Sequence, residues 1–315
     1  MNAKPIVLVA DPLSPAALEA LGRDVEVRRC DGTDRPALLA AVRDADALLV
    51  RSATTVDAEV IGCAERLTFI GRAGVGLDNV DVREAERRGI AVTNAPTANV
   101  VSAAELTCAL IMAAARNIVP AGTALKQGDW SRSRHTGFEL SGKTLGVIGL
   151  GRIGTLVAER MAAFGMDIVA HDPYRQGASP DGIKLMSLDD LLHRADVVTV
   201  HLPKTPETTG LIGQAELGRM KPTALVVNVA RGGIVDEDAL YSALSSGRIA
   251  GAALDVFSRE PCTGSPLFGL ENVTVTPHLG AGTTEAQDRA GVTVALAALA
   301  ALLPGPTAAG GPDGA

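Results

Sequence analysis

Three polar residues, Arg231, Glu260 and His278, lie at or just past the ends of apolar runs that have strand composition. Histidine is the side chain that gains and loses a proton near neutral pH, and a carboxylate partner holds its ring in one tautomer. Arginine stays charged and presents a planar pair of donors to a carboxylate. Taken singly, Arg231 also fits a surface cation, Glu260 a solvated loop acid, and His278 a cap of the last strand. Together they predict His278 as the acid/base, Glu260 as its orienting partner and Arg231 as the clamp for a substrate carboxylate.

A glycine motif, GLGRIG, follows the apolar run TLGVIGL and opens a helical segment. In such a motif Gly149 permits a tight turn, Gly151 lets the backbone approach a pyrophosphate, and Gly154 allows close helix–strand packing. Asp172 ends the next apolar run, 172 − 154 = 18 residues past the last glycine. A carboxylate there binds ribose hydroxyls and repels a 2′-phosphate, so we expect NAD rather than NADP, although Arg175 lies nearby.

An NAD site combined with an acid/base and a carboxylate clamp is a complete set for hydride transfer at a hydroxy acid. The base accepts the hydroxyl proton, and the cation holds the carboxylate of the substrate. The residues therefore predict an oxidoreductase that acts on a small anionic 2-hydroxy or 2-keto acid.

The composition supports a folded chain with anionic surface. The 315 residues are 47% hydrophobic and 21% charged, with a formal net charge of −7, and the length predicts two domains. Nucleic-acid and membrane partners are not expected, because both require a basic face. The four cysteines form no CxxC and no metal-ligand pattern, which favours reduced thiols and no metal site. The longest apolar run, Val292 to Leu303, has 12 residues, so we expect no membrane span and a cytoplasmic location.

Strand-like runs alternate with helical segments along the chain, which predicts βαβ units and parallel sheets. The runs that predict strands are 6–10, 25–28, 47–52, 68–73 and 90–94, then 144–150, 167–171, 196–202, 224–230, 251–256 and 273–277. A helix near 98–117 separates the two series, and its Ser102 and Glu105 have the spacing of a capping box or of a chance match within a longer helix. The predicted class is α/β, with two Rossmann-like doubly wound domains. The expected domains are 1–97 plus 284–303 for the substrate, 98–283 for NAD, and a disordered tail at 304–315.

Four strings resemble one known family over residues 4–300: GLGRIG, VNVARGGIVDE, AALDVFSREP and TPHLGA. They are similar to the D-isomer-specific 2-hydroxyacid dehydrogenases. The resemblance implies two Rossmann-like domains, the first flavodoxin-like, with the active site in a cleft between them. It also places the catalytic Arg, Glu and His of the family on Arg231, Glu260 and His278. Homo-oligomers, dimers or tetramers, built largely through the nucleotide domain, are expected from it.

Further strings, including RSATTVDAEV, GRAGVGLDNVDV, NAPTANVVSAAELT and HLPKTPET, resemble the members of this family that act on 3-phosphoglycerate. The resemblance implies oxidation of that acid at C2 to 3-phosphohydroxypyruvate, the first step of serine biosynthesis. The substrate contacts expected from it are Arg51, Ser52, Arg72, Gly74, Val75 and Gly76. The cofactor contacts expected are Gly149, Gly151, Arg152, Ile153, Gly154, Asp172, Val229, Ala230, Asp255 and Gly280.

Three features depart from that pattern and leave alternatives open. The sequence ends in a low-complexity tail where many relatives continue into regulatory domains, so we expect no inhibition by serine. Gly282 replaces a serine beside the catalytic histidine, and His135 occupies a position that is usually aromatic. The alternatives are a hydroxypyruvate or glyoxylate reductase and a dehydrogenase for a phosphonate analogue. A more distant alternative is an NAD-sensing transcriptional corepressor.

Overall fold

The computed structural model describes residues 3–175 and 183–303. The chain divides into two units, with the divisions after Asn99 and after Gly280, so that the last helix belongs to the first unit. The predicted disordered tail, residues 304–315, lies outside the described residues.

Strands and helices alternate through both units. The strands are β1 (Ile6–Val9), β2 (Glu26–Arg29), β3 (Ala47–Val50), β4 (Phe69–Arg72), β5 (Ala91–Asn94), β6 (Thr144–Ile148), β7 (Asp167–His171), β8 (Lys184–Leu185), β9 (Val197–Val200), β10 (Leu225–Asn228), β11 (Gly251–Leu254) and β12 (Val273–Val275). The α-helices are α1 (Pro15–Ala20), α2 (Arg35–Ala41), α3 (Ala58–Cys63), α4 (Val82–Arg87), α5 (Val100–Ala115), α6 (Ile118–Lys126), α7 (Arg152–Ala163), α8 (Leu188–Arg194), α9 (Gln214–Arg219), α10 (Glu237–Ser245) and α11 (Thr284–Leu302). Short 3₁₀ turns lie at Arg132–His135 and Pro266–Gly269.

The first unit contains a parallel sheet in the order β2-β1-β3-β4-β5. Strands β1 and β3 are wholly buried, which explains why their sequences are continuous apolar runs. The order reverses between β1 and β3, and in open α/β sheets ligands bind at such a reversal, at the carboxyl ends of the strands. Helix α11 completes this core: Val294 is fully buried, and a Cβ at Gly291 would lie 2.5 Å from Cβ of Ala17 in α1.

The second unit contains a parallel sheet in the order β12-β11-β10-β9-β6-β7-β8. Counted from β6, this is the 3-2-1-4-5-6 order of dinucleotide-binding folds with one added strand, and it reverses between β6 and β9. Both sheets confirm the predicted α/β, doubly wound class. The sequence did not predict β8, because two residues at a sheet edge carry no apolar run.

The helical segment predicted for 98–117 is α5 in the structure, Val100–Ala115, and a second helix, α6, follows it directly. Helix α5 ends at Ala115, Asn117 adopts a left-handed conformation with φ 51°, and α6 begins at Ile118. Ser102 is a buried residue inside α5, so its spacing to Glu105 does not mark a helix start. Among the described residues, no single helix is long and apolar enough to cross a membrane, although α5 and α6, bent by 65°, pass that test as a pair by length and composition.

Candidate active site

The glycine motif forms a tight backbone turn between β6 and α7. Gly149 has φ 93°, and a Cβ there would lie 2.6 Å from the carbonyl oxygen of His201, which follows β9. A Cβ at Gly154 would lie 2.1 Å from the Gly149 carbonyl oxygen, so only glycine permits this packing. Gly151 is the N-cap of α7, no side chain caps the helix, and the space around its missing Cβ is open. The N–H groups at the start of α7 are therefore available to a phosphate, which fits a dinucleotide.

Asp172 is attached to this turn by hydrogen bonds. Its Oδ2 accepts from the Leu150 N–H at 2.9 Å, and its Oδ1 accepts from the Tyr174 N–H at 3.0 Å. Each carboxylate oxygen keeps a second lone pair that can accept from a ribose hydroxyl. Arg152 and Ile153 form the first turn of α7, with Arg152 exposed and Ile153 half-buried.

Asn228 shapes the loop that carries Arg231. The Asn228 side chain is 2% exposed at the end of β10; its Nδ2 donates to the Arg231 carbonyl at 2.9 Å, and its Oδ1 accepts from the Ala230 N–H at 3.0 Å. The next residue, Gly232, packs so closely that a Cβ there would lie 1.7 Å from the Phe257 carbonyl oxygen. The loop that follows β10 therefore lies directly against the loop that follows β11.

Glu260 and His278 form a direct hydrogen-bonded pair. Glu260 Oε2 lies 2.5 Å from His278 Nδ1, and Glu260 Oε1 accepts from the Phe257 N–H at 2.9 Å. Ser258 N–H donates at 2.5 Å to Glu237, in the first turn of α10. Nδ1–H donates to the carboxylate, which leaves the Nε2 lone pair for a substrate proton. The side chains of His278 and Glu260 are 46% and 33% exposed, so a substrate can reach them.

Asp255, directly after β11, is fully buried behind the histidine. Its Oδ1 accepts from Thr276 Oγ1 and from the Leu279 N–H, both at 2.6 Å, and its Oδ2 accepts from the Gly280 N–H at 2.8 Å. Burial raises the pKa of Asp255, and these three hydrogen bonds oppose that rise. A Cβ at Gly280 would lie 3.5 Å from Val229, so these expected cofactor contacts adjoin one another.

His201 is a residue of this region that the sequence analysis did not single out, although it lies in HLPKTPET. It follows β9 at the point where the strand order reverses, and its Nε2 lies 3.0 Å from Thr199 Oγ1. Burial lowers the pKa of His201 to about 4, so its ring is neutral at pH 7. The position of His201 after the apolar run of β9 is the sequence signal that could have identified it as a candidate site residue.

The first unit fixes the backbone of Arg51 at the end of β3. The Arg51 N–H donates to Asp11 Oδ2 at 2.5 Å, and the Arg51 carbonyl accepts from Asn79 Nδ2 at 2.7 Å. Asp11 also accepts from the Thr54 hydroxyl at 3.0 Å. The Arg51 guanidinium makes one long hydrogen bond, 3.4 Å, to the Pro12 carbonyl, and Ser52 beside it is exposed.

Arg72 ends the neighbouring strand β4, where it pairs in register with Val50. A Cβ at Gly74 would lie 1.7 Å from Arg72 Nη1, so the guanidinium lies against this glycine and an alanine would displace it. The Asn94 Nδ2 donates to the Val75 carbonyl at 2.5 Å, which fixes the loop that leads to Gly76. Arg51 and Arg72 therefore lie at one edge of the first sheet.

Within residues 3–175 and 183–303, no three His, Cys, Asp or Glu side chains are grouped as metal ligands. All four cysteines are free thiols: Cys108 is buried, and Cys30, Cys63 and Cys262 are half-buried.

The second sheet and its glycine turn have the architecture of a nucleotide-binding α/β unit, and the same unit contains the hydrogen-bonded Glu260–His278 pair. Residues 108–280 match the family described as D-isomer specific 2-hydroxyacid dehydrogenase, NAD binding domain. The chain belongs to this family, so the predicted family and the predicted NAD cofactor are both confirmed.

The chain is also similar to several individual proteins and solved structures. It is 60% identical over 293 residues to the D-3-phosphoglycerate dehydrogenase of Mycobacterium tuberculosis, covering 92% of this chain and 56% of that protein. It therefore spans about half the length of the curated relatives it matches. Among solved structures, the TT0316 protein of Thermus thermophilus has a TM-score of 0.86 at 38% identity, covering 93% of this chain and 96% of that one. A glyoxylate reductase from Paecilomyes thermophila has a TM-score of 0.83 at 33% identity, covering 94% of each chain.

The position of Asp172 generates a prediction about cofactor choice. Asp172→Ala should raise the ratio of NADPH affinity to NADH affinity by about tenfold, because the substitution removes a negative charge beside the 2′-position of the adenosine ribose. Affinity for both cofactors should also fall, since the Leu150 N–H loses its acceptor. Titrations of cofactor fluorescence measure both constants, and Asp24→Ala, at an exposed turn, is the matched control. An unchanged ratio would show that another residue discriminates between the cofactors.

Proposed function

We propose that this chain is an NAD-dependent oxidoreductase that transfers a hydride between C2 of 3-phosphoglycerate and nicotinamide. The product is 3-phosphohydroxypyruvate, and the reaction is the first step of serine biosynthesis. The observation that carries the proposal is the 2.5 Å contact between Glu260 and His278, on the same sheet edge as the glycine turn. The 60% identity to a D-3-phosphoglycerate dehydrogenase supports this substrate.

The chain's own residues supply acid–base chemistry and orientation. His278 Nε2 accepts the C2 hydroxyl proton, and Glu260, bonded to Nδ1, holds the ring in the required tautomer and favours its protonated form. The Arg231 guanidinium binds the substrate carboxylate and draws charge from the adjacent C2 oxygen. In the reverse direction, His278 returns the proton to the carbonyl oxygen.

The bound NAD supplies the hydride acceptor. Gly149, Gly151, Arg152, Ile153 and Gly154 would hold its pyrophosphate, and Asp172 its adenosine ribose. Val229, Ala230, Asp255 and Gly280 follow β10 or β11 or lie just beyond β12, on the edge where the nicotinamide half would bind.

We assign the phosphate of the substrate to Arg51 and Arg72 of the first unit, and we place the loop that contains Gly74 and Gly76 near the substrate carboxylate. Arg51 and Arg72, with Ser52 and the backbone of Gly74–Gly76, would form the anion site. A few placed cations are needed because the net charge of −7 repels an anionic substrate.

A second candidate is a reductase of glyoxylate or hydroxypyruvate. Its support is the similarity to a glyoxylate reductase, at 33% identity and a TM-score of 0.83. The two candidates share cofactor and acid–base chemistry and differ in whether the substrate carries a phosphate. Arg51 and Arg72 favour the phosphorylated acid.

Steady-state kinetics separate the two candidates. The assays are NAD reduction with 3-phosphoglycerate and NADH oxidation with phosphohydroxypyruvate, hydroxypyruvate or glyoxylate. We expect kcat/KM for phosphohydroxypyruvate to be at least about tenfold higher than kcat/KM for the two unphosphorylated acids. That ratio corresponds to about 1.4 kcal/mol of transition-state binding. Arg51→Ala and Arg72→Ala should each remove about 1.5–3 kcal/mol of transition-state binding for the phosphorylated acids, and should not change it for the unphosphorylated acids. Arg43→Ala, at a surface ion pair, is the control. A kcat/KM for glyoxylate equal to that for phosphohydroxypyruvate would favour the second candidate, the reductase.

The proposed acid/base generates a separate prediction. His278→Ala should lower kcat by about 10²–10⁴-fold, the usual contribution of a general acid/base, while NADH affinity stays near that of the wild type. Rapid-mixing kinetics and NADH fluorescence titration measure the two quantities. Unchanged turnover would remove His278 from the mechanism.

We further propose a homo-oligomer, built through the nucleotide-binding unit. Helix α6 has no buried residue, and Ile118, Leu125 and Trp130 are 56%, 53% and 74% exposed. A second copy of the chain would cover this apolar face.

Sedimentation equilibrium should give twice or four times the chain mass of 32.3 kDa. Ile118→Lys should reduce that mass, whereas Leu296→Lys, equally exposed on α11, should not. A monomeric wild type would contradict this assembly.

We place the reaction in the cytoplasm, where four free thiols stay reduced.

A further inference from the structure

Two neighbouring loops of the first unit carry the arginines assigned to the substrate phosphate. The Arg51 loop (residues 51–56) follows β3, and the Arg72 loop (residues 72–79) begins at the end of β4. The two strands are paired, with Val50 opposite Arg72, so the loops start side by side at one edge of the sheet. A guanidinium binds a phosphate through donors of fixed direction. Two arginines can therefore bind one phosphate only if their loops are held in a fixed relation.

The side chain of Asn79, at the end of the Arg72 loop, connects the two loops. Its Nδ2 donates to the Arg51 carbonyl at 2.7 Å and to the Thr54 carbonyl at 2.6 Å, which uses both N–H donors of the amide. The Asn79 carbonyl accepts in turn from the Val56 N–H at 2.8 Å. Asn79 thus makes three hydrogen bonds to the Arg51 loop.

Asp11 binds the N–H groups of the same two residues of the Arg51 loop. Its Oδ2 accepts from the Arg51 N–H at 2.5 Å and from the Thr54 N–H at 3.3 Å, and its Oδ1 accepts from the Thr54 hydroxyl at 3.0 Å. Thr54 is fully buried, and a Cβ at Gly32 would lie 1.8 Å from its Oγ1. Residues 51 and 54 are therefore held at their N–H groups by Asp11 and at their carbonyls by Asn79.

Asn79 is itself held by the turn that leads into α4. The Val80 N–H donates to the Leu77 carbonyl at 2.9 Å, and Val80 is buried. Asp81, the N-cap of α4, donates its N–H to the Val56 carbonyl at 2.8 Å. The amide of Asn79 is therefore anchored before any ligand binds, and a preorganised loop loses less entropy when it binds an anion.

We propose that Asn79 is a positioning residue for the phosphate site. Its amide holds the Arg51 loop against the Arg72 loop, so that both guanidinium groups act on one phosphate. The Arg51 guanidinium makes one long hydrogen bond, 3.4 Å, to the Pro12 carbonyl, so its position depends on the backbone to which it is attached. The inference rests on the proposed function in that the substrate carries a phosphate.

Asn79→Ala tests this role because it removes both donors from the carbonyls of Arg51 and Thr54. We expect KM for phosphohydroxypyruvate to rise about tenfold with kcat near that of the wild type, since a displaced arginine weakens ground-state and transition-state binding alike. For hydroxypyruvate, kcat/KM should stay within about twofold of wild type. Equal losses for both acids would indicate a general effect on the fold and contradict the proposal.

Two further asparagine variants serve as control and as a milder change. Asn272→Ala removes an amide whose Nδ2 donates to the Ala250 carbonyl at 3.1 Å in the second unit, and it should leave both KM values unchanged. Asn79→Ser keeps one hydroxyl donor and should give a KM between those of the wild type and Asn79→Ala, which covers the case that the alanine variant does not fold. If neither Asn79 variant raises KM for phosphohydroxypyruvate more than Asn272→Ala does, the proposal is overturned.

A double-mutant cycle shows whether Asn79 acts through Arg51. In the Arg51→Ala background, Asn79→Ala should have little further effect on kcat/KM for phosphohydroxypyruvate, because the group that it positions is absent. Additive losses would show that Asn79 contributes independently of Arg51 and would count against the positioning role.

Binding of inorganic phosphate to the cofactor-free protein is a test that does not depend on activity. The wild type should broaden the phosphorus NMR line of inorganic phosphate, and Asn79→Ala should lose the part of this broadening that Arg51→Ala loses. No difference between the wild type and Asn79→Ala, or no broadening by the wild type, would overturn the proposal. If the wild type turns over unphosphorylated acids as well as phosphohydroxypyruvate, the proposed substrate fails, while the phosphate titration still decides whether Asn79 holds an anion site.

Discussion

The carboxyl ends of parallel strands meet at one edge of a sheet, and the proposed chemistry of the second unit depends on this constraint. The glycine turn follows β6, Arg231 follows β10, Asp255 follows β11, and His278 lies just past β12. Residues far apart in sequence therefore reach one edge without long loops. The reversal of strand order between β6 and β9 opens the crevice in which such folds bind a dinucleotide.

Backbone close approach sets the positions of the loops at this edge. The carbonyl of His201 lies against Gly149, and the carbonyl of Phe257 lies against Gly232, at distances that leave no room for a Cβ. Because backbone atoms cannot rotate away as a side chain does, these contacts hold neighbouring loops in register. The Glu260–His278 hydrogen bond depends on that register, since its two residues come from loops after different strands.

In both units, buried polar side chains also hold the loops that carry the proposed site residues. Asp11 in the first unit, and Asn228 and Asp255 in the second, are 4%, 2% and 0% exposed, and each binds backbone N–H or carbonyl groups of a loop that carries a proposed site residue. Buried polar groups without partners are costly, so these hydrogen bonds favour a single loop conformation. Arg51, Arg231 and His278 are thereby fixed through their backbones, while their side chains remain at least partly accessible.

The sequence alone determined the features that depend on local pattern. Apolar runs predicted eleven of the strands, the spacing GLGRIG predicted the nucleotide turn, and the motif strings identified the family. The tertiary structure decided what depends on contacts between distant residues. Examples are the edge strand β8, the interior position of Ser102 in α5, and the hydrogen bonds of Asn228 and Asp255. The physical reason is range: periodicity and turn chemistry act over a few neighbouring residues, whereas burial and hydrogen bonding of a loop depend on which strand ends the topology makes adjacent.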